Sequence, residues 1–179
     1  MKMKKLVIAS ALSVLFASQA FAASDNTITF KGEVADETCS VTVNGNSSSP
    51  LVLLPTVSTS DLAAAADTAG QTTFDIAVTD CPAALDGKTI STRFAGNNVS
   101  TNGNLGNIAS DAAANVEVQI LDTANTVIDL TSEFTADGDL SLASGESEAS
   151  ATYTAQYYAT AASTAGEVEG TMQYAVVYE

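Results

Sequence analysis

The sequence predicts an all-β sandwich, and three observations lead to this prediction. Small and β-branched residues, chiefly Thr, Ser, Ala, Val, Asn and Gly, dominate the composition. Short runs in which apolar and polar residues alternate recur between clusters of turn-forming residues, which is typical of half-buried strands. Apolar stripes with the period of a helix are almost absent. We therefore expect seven or eight strands in one body, with a further strand near the N-terminus.

The first 22 residues have the features of a secretory signal peptide. Three lysines lie within residues 2–5, an apolar run follows over residues 6–16, and Ala20-Phe21-Ala22 is a small-x-small cleavage motif. A membrane anchor is the alternative, but the run is shorter than the roughly 20 residues that cross a bilayer. Cleavage after Ala22 would leave 157 of the 179 residues, which suits one domain with its own core.

The predicted mature chain is strongly acidic. The full sequence has 6 basic and 21 acidic residues, and the signal peptide holds three of the lysines and none of the acids. The mature chain then has three basic residues against 21 acidic ones, a net charge of −18. Such a surface repels nucleic acid and anionic membranes, so neither is an expected partner.

Residues 26–34 (NTITFKGEV) predict a strand on an N-terminal arm. Ile28, Phe30 and Val34 fall on one face, with Gly32 between them, while the intervening polar residues fall on the other. Because cleavage would leave only three residues before this strand, its start is untethered. We assign residues 23–34 to an N-terminal extension and residues 35–179 to the folded body.

The first half of the body predicts strands at 39–43, 51–54, 72–81 and 89–94. An Asn-Gly turn follows the first strand, and Pro55 ends the second. Residues 58–70 predict one or two helical turns, with Ser60 as N-cap and Gly70 as the stop. The inward-facing residues are expected to be Cys39, Val41, Val43, Phe74, Ile76, Val78, Asp80, Ile90 and Phe94.

The second half predicts strands at 116–121, 127–130, 151–158 and 168–179, separated by polar loops at 96–110 and 137–150. The last strand alternates to the end of the sequence. Seven apolar or small residues, in this strand and just before it, fall on one parity: Gly166, Val168, Gly170, Met172, Tyr174, Val176 and Tyr178.

The sequence has two cysteines, Cys39 and Cys81, and no histidine. In an exported protein, two cysteines most simply form one disulfide, here across 42 positions. In the chain-entropy model such a link is worth about 4 kcal/mol. A metal site or a catalytic thiol is the alternative, and it is disfavoured because histidine and a second cysteine pair are missing.

Catalytic chemistry is not expected. Histidine is the commonest general base and a member of most catalytic triads, and nothing replaces it here. Asp137-Gly138-Asp139 lacks the other positions of a calcium loop and predicts a turn. We therefore expect no enzyme activity, no metal and no cofactor.

The two ends of the chain complement each other. The C-terminal strand is long, apolar on one face, and followed by no strand that could cover it. An immunoglobulin-like sandwich without its last strand would expose a core groove beside that strand, and a donor strand could fill it by β-augmentation. The link over residues 35–38 is short for folding the arm back, which favours insertion into another copy and a head-to-tail filament. Alternatively, residues 26–34 are the first strand of a closed sandwich.

Several motifs, taken together and in this order, resemble a major pilin of the chaperone–usher pathway, of the type 1 and P pilus class. They are the Ala20-Phe21-Ala22 signal end, TFKGEV before DETCSV, LLPTV followed by Ala69-Gly70, VTDCP around Cys81, Gly166 as the fourteenth residue from the C-terminus, and the YAVVYE ending with its penultimate Tyr178. These features extend over the whole predicted mature chain.

The resemblance implies an incomplete immunoglobulin-like fold with a Cys39–Cys81 disulfide. It implies that a periplasmic pilus chaperone lends a strand along the edge that includes Gly166, Met172, Tyr174, Val176 and Tyr178. At the outer-membrane usher, that strand would be exchanged for the arm of the next copy. The arm would insert Ile28, Phe30 and Val34, with Gly32 at a shallow pocket. The product would be a cell-surface fimbrium that supports adhesion and biofilm formation.

Two other functions remain open at this point. A minor adaptor or terminator subunit would have the same motifs. A secreted carbohydrate-binding β-sandwich would need exposed aromatic residues, and Tyr153, Tyr157 and Tyr158 form the only cluster.

Overall fold

The structure is a computed structural model that describes residues 30, 32–35 and 38–179. The chain divides into two units, Met1–Gly32 and Glu33–Glu179. Every strand described below lies in the second unit. The predicted signal peptide and Ile28 lie outside the described residues.

The described residues of the second unit contain eight strands and two 3₁₀ helices, and they confirm the predicted all-β class. The strands are β1 (Ser40–Val43), β2 (Thr68–Thr79), β3 (Ile90–Gly96), β4 (Leu105–Gly106), β5 (Val116–Leu121), β6 (Phe134–Ala136), β7 (Ala149–Ala159) and β8 (Met172–Tyr178). The 3₁₀ helices are Thr59–Leu62 and Ala83–Leu85. The described strands form two antiparallel sheets, with orders β1-β2-β7-β5-β4 and β6-β3-β8.

The core lies where the two sheets face each other. Alternating residues of β2 and β3 are buried there as predicted, including Phe74, Ile76 and Phe94. Tyr153 of β7 connects the two layers, because its ring stacks on Phe74 at 5.8 Å and meets Phe94 edge-on at 5.0 Å. Its hydroxyl donates to the Asp139 carboxylate at 2.6 Å, so the one polar atom of this ring has a partner.

The Cys39–Cys81 disulfide is formed, with the two Cα atoms 4.3 Å apart. Cys39 immediately precedes β1, and Cys81 follows the end of β2. The bond therefore links the start of β1 to the end of its antiparallel partner β2.

Three predictions about residues 51–70 were wrong. Residues 51–54 form no strand, because their backbone makes no hydrogen bond to the backbone of another described residue. They are nevertheless alternately exposed and half-buried. The helical turn has Ser58 as its N-cap instead of Ser60, since the Ser58 hydroxyl accepts from the Ser60 amide and Asp61 completes a capping box. Gly70 lies within β2, beside a register shift.

Asp80 was predicted to face inward and is exposed. Its φ of 53° ends β2 one residue earlier, so the parity of the strand no longer applies to it. The alternation of apolar and polar residues along a strand does not indicate which residue adopts a left-handed backbone conformation.

The loops also differ from their predictions. The polar stretch 96–110 contains β4 and buries Asn104 and Leu105 almost completely. The predicted strand at 127–130 is reduced to one bridge, between Leu121 and Val127. The turn predicted at Asp137-Gly138-Asp139 is present, and Gly138 adopts the left-handed conformation that it needs.

Candidate functional site

An apolar groove of about 480 Å³ opens on one side of the sandwich. Core residues of the five-stranded sheet form its floor, among them Val43, Ile76, Val118 and Ala155. Residues 50–54 lie along one wall, and residues 168–172 with Tyr174 lie along the other. The groove therefore gives direct access to the hydrophobic core.

Strand β8 forms part of this second wall, and it is an edge strand. It pairs with β3 on one side, and no described strand pairs with it on the other. Thr89 and Glu179 exchange both backbone hydrogen bonds, at 2.9 and 2.8 Å, in the register that continues through β3 and β8. Because backbone groups alternate in direction along a strand, the odd-numbered residues of β8 bond to β3. The even-numbered residues direct their N–H and C=O groups away from β3.

The same even-numbered residues point their side chains toward the core. Met172, Tyr174, Val176 and Tyr178 pack against the core cluster, yet each stays half-buried. The predicted inward parity is confirmed for the even-numbered residues, but Val177 on the opposite parity is buried as well, and the regular strand begins at Met172 instead of 168. These four predicted edge residues lie together along one strand.

Tyr178 also contacts the beginning of the second unit. The Cys39 amide donates to the Tyr178 hydroxyl at 3.0 Å, and the Tyr178 amide donates to the Glu33 carboxylate at 3.2 Å. Neither contact could be predicted from the sequence, because each joins residues about 140 positions apart.

Gly166 has a different neighbourhood from the other predicted edge residues. A Cβ atom at this position would meet the Ala113 backbone nitrogen and would lie 2.7 Å from both the Ala113 Cα and the Asp111 carbonyl oxygen. Glycine is therefore required for the parallel bridge between Ala112 and Glu167.

Only part of the predicted donor strand is described. Phe30 is 89% exposed and Val34 is 102% exposed, and Gly32 has no atom within 4 Å of a Cβ built on it. Two large apolar side chains of the same parity are thus presented to solvent around a glycine.

The groove shows no catalytic or metal-binding constellation. Burial raises the pKa of Tyr157, which lines the groove, above its usual 10.0. Among the described residues, no group of three acidic, cysteine or histidine side chains is placed to hold a metal ion. No helix in the described part of the chain is long and apolar enough to cross a membrane.

Comparison with known proteins identifies the family. The family model described as FimA, type-1 fimbrial protein, A, matches residues 54–179. The chain belongs to the type-1 fimbrial protein family. It is 36% identical to the F17 fimbrial protein of Escherichia coli, over 99% of this chain and all of that protein. It is 38% identical to the major fimbrial subunit SMF-1 of Stenotrophomonas maltophilia, over 87% of this chain and 94% of that one.

Solved structures support the same fold. The P pilus rod subunit PapA matches with a TM-score of 0.58 at 16% identity, over 78% of this chain and 99% of that one. A subunit of a chaperone–usher pilus matches with a TM-score of 0.59 at 18% identity, over 90% and 100%. The predicted immunoglobulin-like pilin fold and the predicted family are therefore confirmed. The chain is a fimbrial structural protein of the cell surface and not an enzyme.

Proposed function

We propose that this fimbrial subunit polymerises head-to-tail by donor-strand exchange, with residues 26–34 of one copy filling the groove of the next. The observation that carries the proposal is the edge of β8, whose even-numbered backbone groups face an apolar groove. A strand added there would satisfy those groups and cover the core at the same time.

The exposed arm residues are apolar, as is the lining of the groove. Phe30 and Val34 are almost fully exposed and share one parity with Ile28. Burial of each would contribute about 1.5–3 kcal/mol. Gly32, between Phe30 and Val34, suits a shallow position where a side chain would meet the groove floor.

Both walls of the groove can pair with an incoming strand. On one side lie the even-numbered residues of β8. On the other lie residues 51–54. Their alternating burial indicates an extended chain, and their backbone has no partner among the described residues. A donor strand between them would join the two walls, which explains why this apolar segment is not already a regular strand.

This function implies an export route. Residues 1–22 would direct secretion and be removed, and residues 23–34 would then form the arm of a 35–179 pilin domain. A periplasmic chaperone would occupy the β8 edge (Met172, Tyr174, Val176, Tyr178) and its extension toward Gly166, and the outer-membrane usher would exchange it for the next arm. The polymer would be the shaft of a fimbrium that supports adhesion and biofilm formation.

Neither alternative has comparable support. A terminator or adaptor subunit would use the same groove, but the well-patterned arm makes a repeating shaft subunit the simpler assignment. The carbohydrate-binding alternative needs exposed tyrosines, whereas Tyr153 is fully buried and Tyr157 and Tyr158 are half-buried.

Removal of the arm tests the proposal. We would express the chain without residues 23–34, and separately Gly32→Asn, with the matching chaperone and usher, and look for fibres by electron microscopy. We expect no fibres from either variant, together with normal amounts of chaperone-bound subunit.

Gly45→Asn is the matched control. Gly45 lies in an exposed turn with φ of 76°, where asparagine is tolerated and no atom lies within 4 Å of an added Cβ. This variant should form normal fibres. Fibres from the chain that lacks residues 23–34, or a lone monomer of that chain as stable as the peptide-filled subunit, would contradict the proposal.

A further inference from the structure

The Asn107 side chain joins three separate segments near one end of the groove. Its Nδ2 donates to the carbonyl oxygens of Glu167 at 2.8 Å and Ala113 at 3.2 Å. Its Oδ1 accepts from the amides of Glu169 at 3.0 Å and Ala109 at 3.1 Å. The amide group therefore uses both of its donors and both of its acceptor positions.

These bonds turn the odd-numbered backbone groups of the wall away from the groove. Glu167 and Glu169 are held by Asn107 and by backbone bonds to Asp111, Ala113 and Ile108. Because neighbouring residues of an extended chain direct their backbone groups to opposite sides, the N–H groups of Val168 and Gly170 face the groove. The open edge of β8 is thereby extended by four residues, to Val168.

Backbone contacts alone do not hold this wall completely. The Glu169 amide has the Asn107 carboxamide oxygen as its partner, where a paired strand would supply a backbone carbonyl. Gly166 allows residues 111–113 to pack closely against the wall. Asn107 extends this contact along the wall to Glu169.

We propose that Asn107 is a positioning residue for strand addition, which sets the wall at 167–170 so that a donor strand pairs along it as well as along β8. This inference rests on the proposed function. It concerns one end of the groove only, so substitution of Asn107 should change strand pairing at residues 167–170 and leave pairing along β8 unchanged.

The experiment is hydrogen–deuterium exchange on the mature chain, residues 23–179, folded with an excess of a synthetic peptide of residues 23–34. In the wild-type chain the peptide should slow exchange of the Val168 and Gly170 amides and of the even-numbered amides of β8. In Asn107→Asp with the peptide bound, the Val168 and Gly170 amides should exchange up to about tenfold faster than in wild type, as expected for the loss of one hydrogen bond, and β8 should still be protected. Aspartate keeps the size and the acceptor but loses both donors, and it places a negative charge beside two carbonyl oxygens.

Asn97→Asp is the matched control. Asn97 lies beside the same wall, but its side chain makes one exposed bond, to the Thr171 hydroxyl at 3.3 Å. Its exchange pattern should equal that of the wild-type chain.

Three outcomes separate the possibilities. Wild-type protection of Val168 and Gly170 in Asn107→Asp would overturn the inference. Faster exchange in Asn107→Asp that includes the amides of β7 would also overturn it, because Asn107 would then be a general stability residue. If β8 of the wild-type chain is unprotected both with the peptide and in fibres formed through its own arm, the proposed function itself is refuted.

Discussion

Strands β7 and β8 both have tyrosines in an alternating pattern, yet their surroundings are opposite. β7 pairs with β2 on one side and β5 on the other, and Tyr153 in it is fully buried. β8 pairs with β3 alone among the described strands, and Tyr174 in it is half-buried. The difference shows that alternation determines which face looks toward the core, while the neighbouring strands determine how completely that face is covered.

The sheet that contains β7 also satisfies its own polar groups. A row of side-chain amides crosses it: Gln71 donates to Gln156 at 2.9 Å, Gln156 to Gln119 at 2.8 Å, and Gln119 to Asn104 at 3.2 Å. Three of these four residues are nearly inaccessible to solvent. At β8, by contrast, backbone groups and apolar side chains both face a groove, so the stability of that side depends on what fills it.

The largest effect should come from the closed side. Tyr153→Ala removes a buried ring and should lower the free energy of unfolding by about 3–5 kcal/mol, because the site is surrounded by both sheets. Urea unfolding of the peptide-filled subunit measures it. Tyr158→Ala, on the half-exposed outer face of the same strand, is the control and should cost under about 1 kcal/mol. Equal costs would contradict the assignment of Tyr153 to the core.

On the open side, the effect should depend on assembly. Tyr174→Ala should cost about 1 kcal/mol in the chaperone-free, unfilled subunit and roughly 1–1.5 kcal/mol more in the polymer, where an inserted strand would complete the burial of the half-buried ring. Denaturant titration of fibres, compared with that of the subunit, measures the difference. A cost that is the same in both states would show that β8 is already covered.

The sequence predicted the residues whose environment is set by a regular strand. Phe74, Ile76 and Phe94 are buried as their alternation required, and the even-numbered residues of β8 face the core. The disulfide is also as predicted, since only two cysteines were available. These features depend on local pattern and on simple counting.

Features that depend on distant partners could not be predicted. Residues 51–54 have a strand-like pattern, but a strand also requires a neighbour, and no described segment supplies one. Asn104 and Asn107 look like ordinary loop residues, and their roles come from contacts with residues 117–119 and 167–169. The assignments of Ile28, Phe30, Gly32 and Val34 to the donor strand stay predictions.

A smaller effect should appear at alkaline pH. Burial, and then the hydrogen bond to Asp139, raises the pKa of Tyr153 above its usual 10.0. The unfolded chain then loses this proton at a lower pH than the folded one. The contribution of Tyr153 to the free energy of unfolding is therefore fully present below pH 10 and decreases as the pH rises above it. Tyr153→Phe should reduce the decrease between pH 10 and 11.5 by at most about 1.4 kcal/mol per pH unit. If the free energy of unfolding, measured with urea, falls equally with pH in Tyr153→Phe and in wild type, the Tyr153 hydroxyl is not buried as described.

The smallest effect should come from Glu33, at the end of the open edge. An incoming strand that pairs along all of β8 needs the Tyr178 amide, which now donates to the Glu33 carboxylate. Glu33→Gln provides a neutral and weaker acceptor. A wild-type peptide of residues 23–34 should therefore bind the Glu33→Gln subunit about 2–10-fold more tightly, as expected for one hydrogen bond of 0.5–1.5 kcal/mol.

Supplying the donor strand as a separate peptide matters here, because residue 33 also lies within the proposed donor. The substitution then changes only the acceptor, and Glu146→Gln, which removes the same charge from a distant exposed turn, controls for electrostatics. Unchanged or weaker binding by the Glu33→Gln subunit would mean that the donor strand ends before Tyr178. The open edge would then be shorter than its backbone geometry indicates, and pairing would be confined to Met172, Tyr174 and Val176.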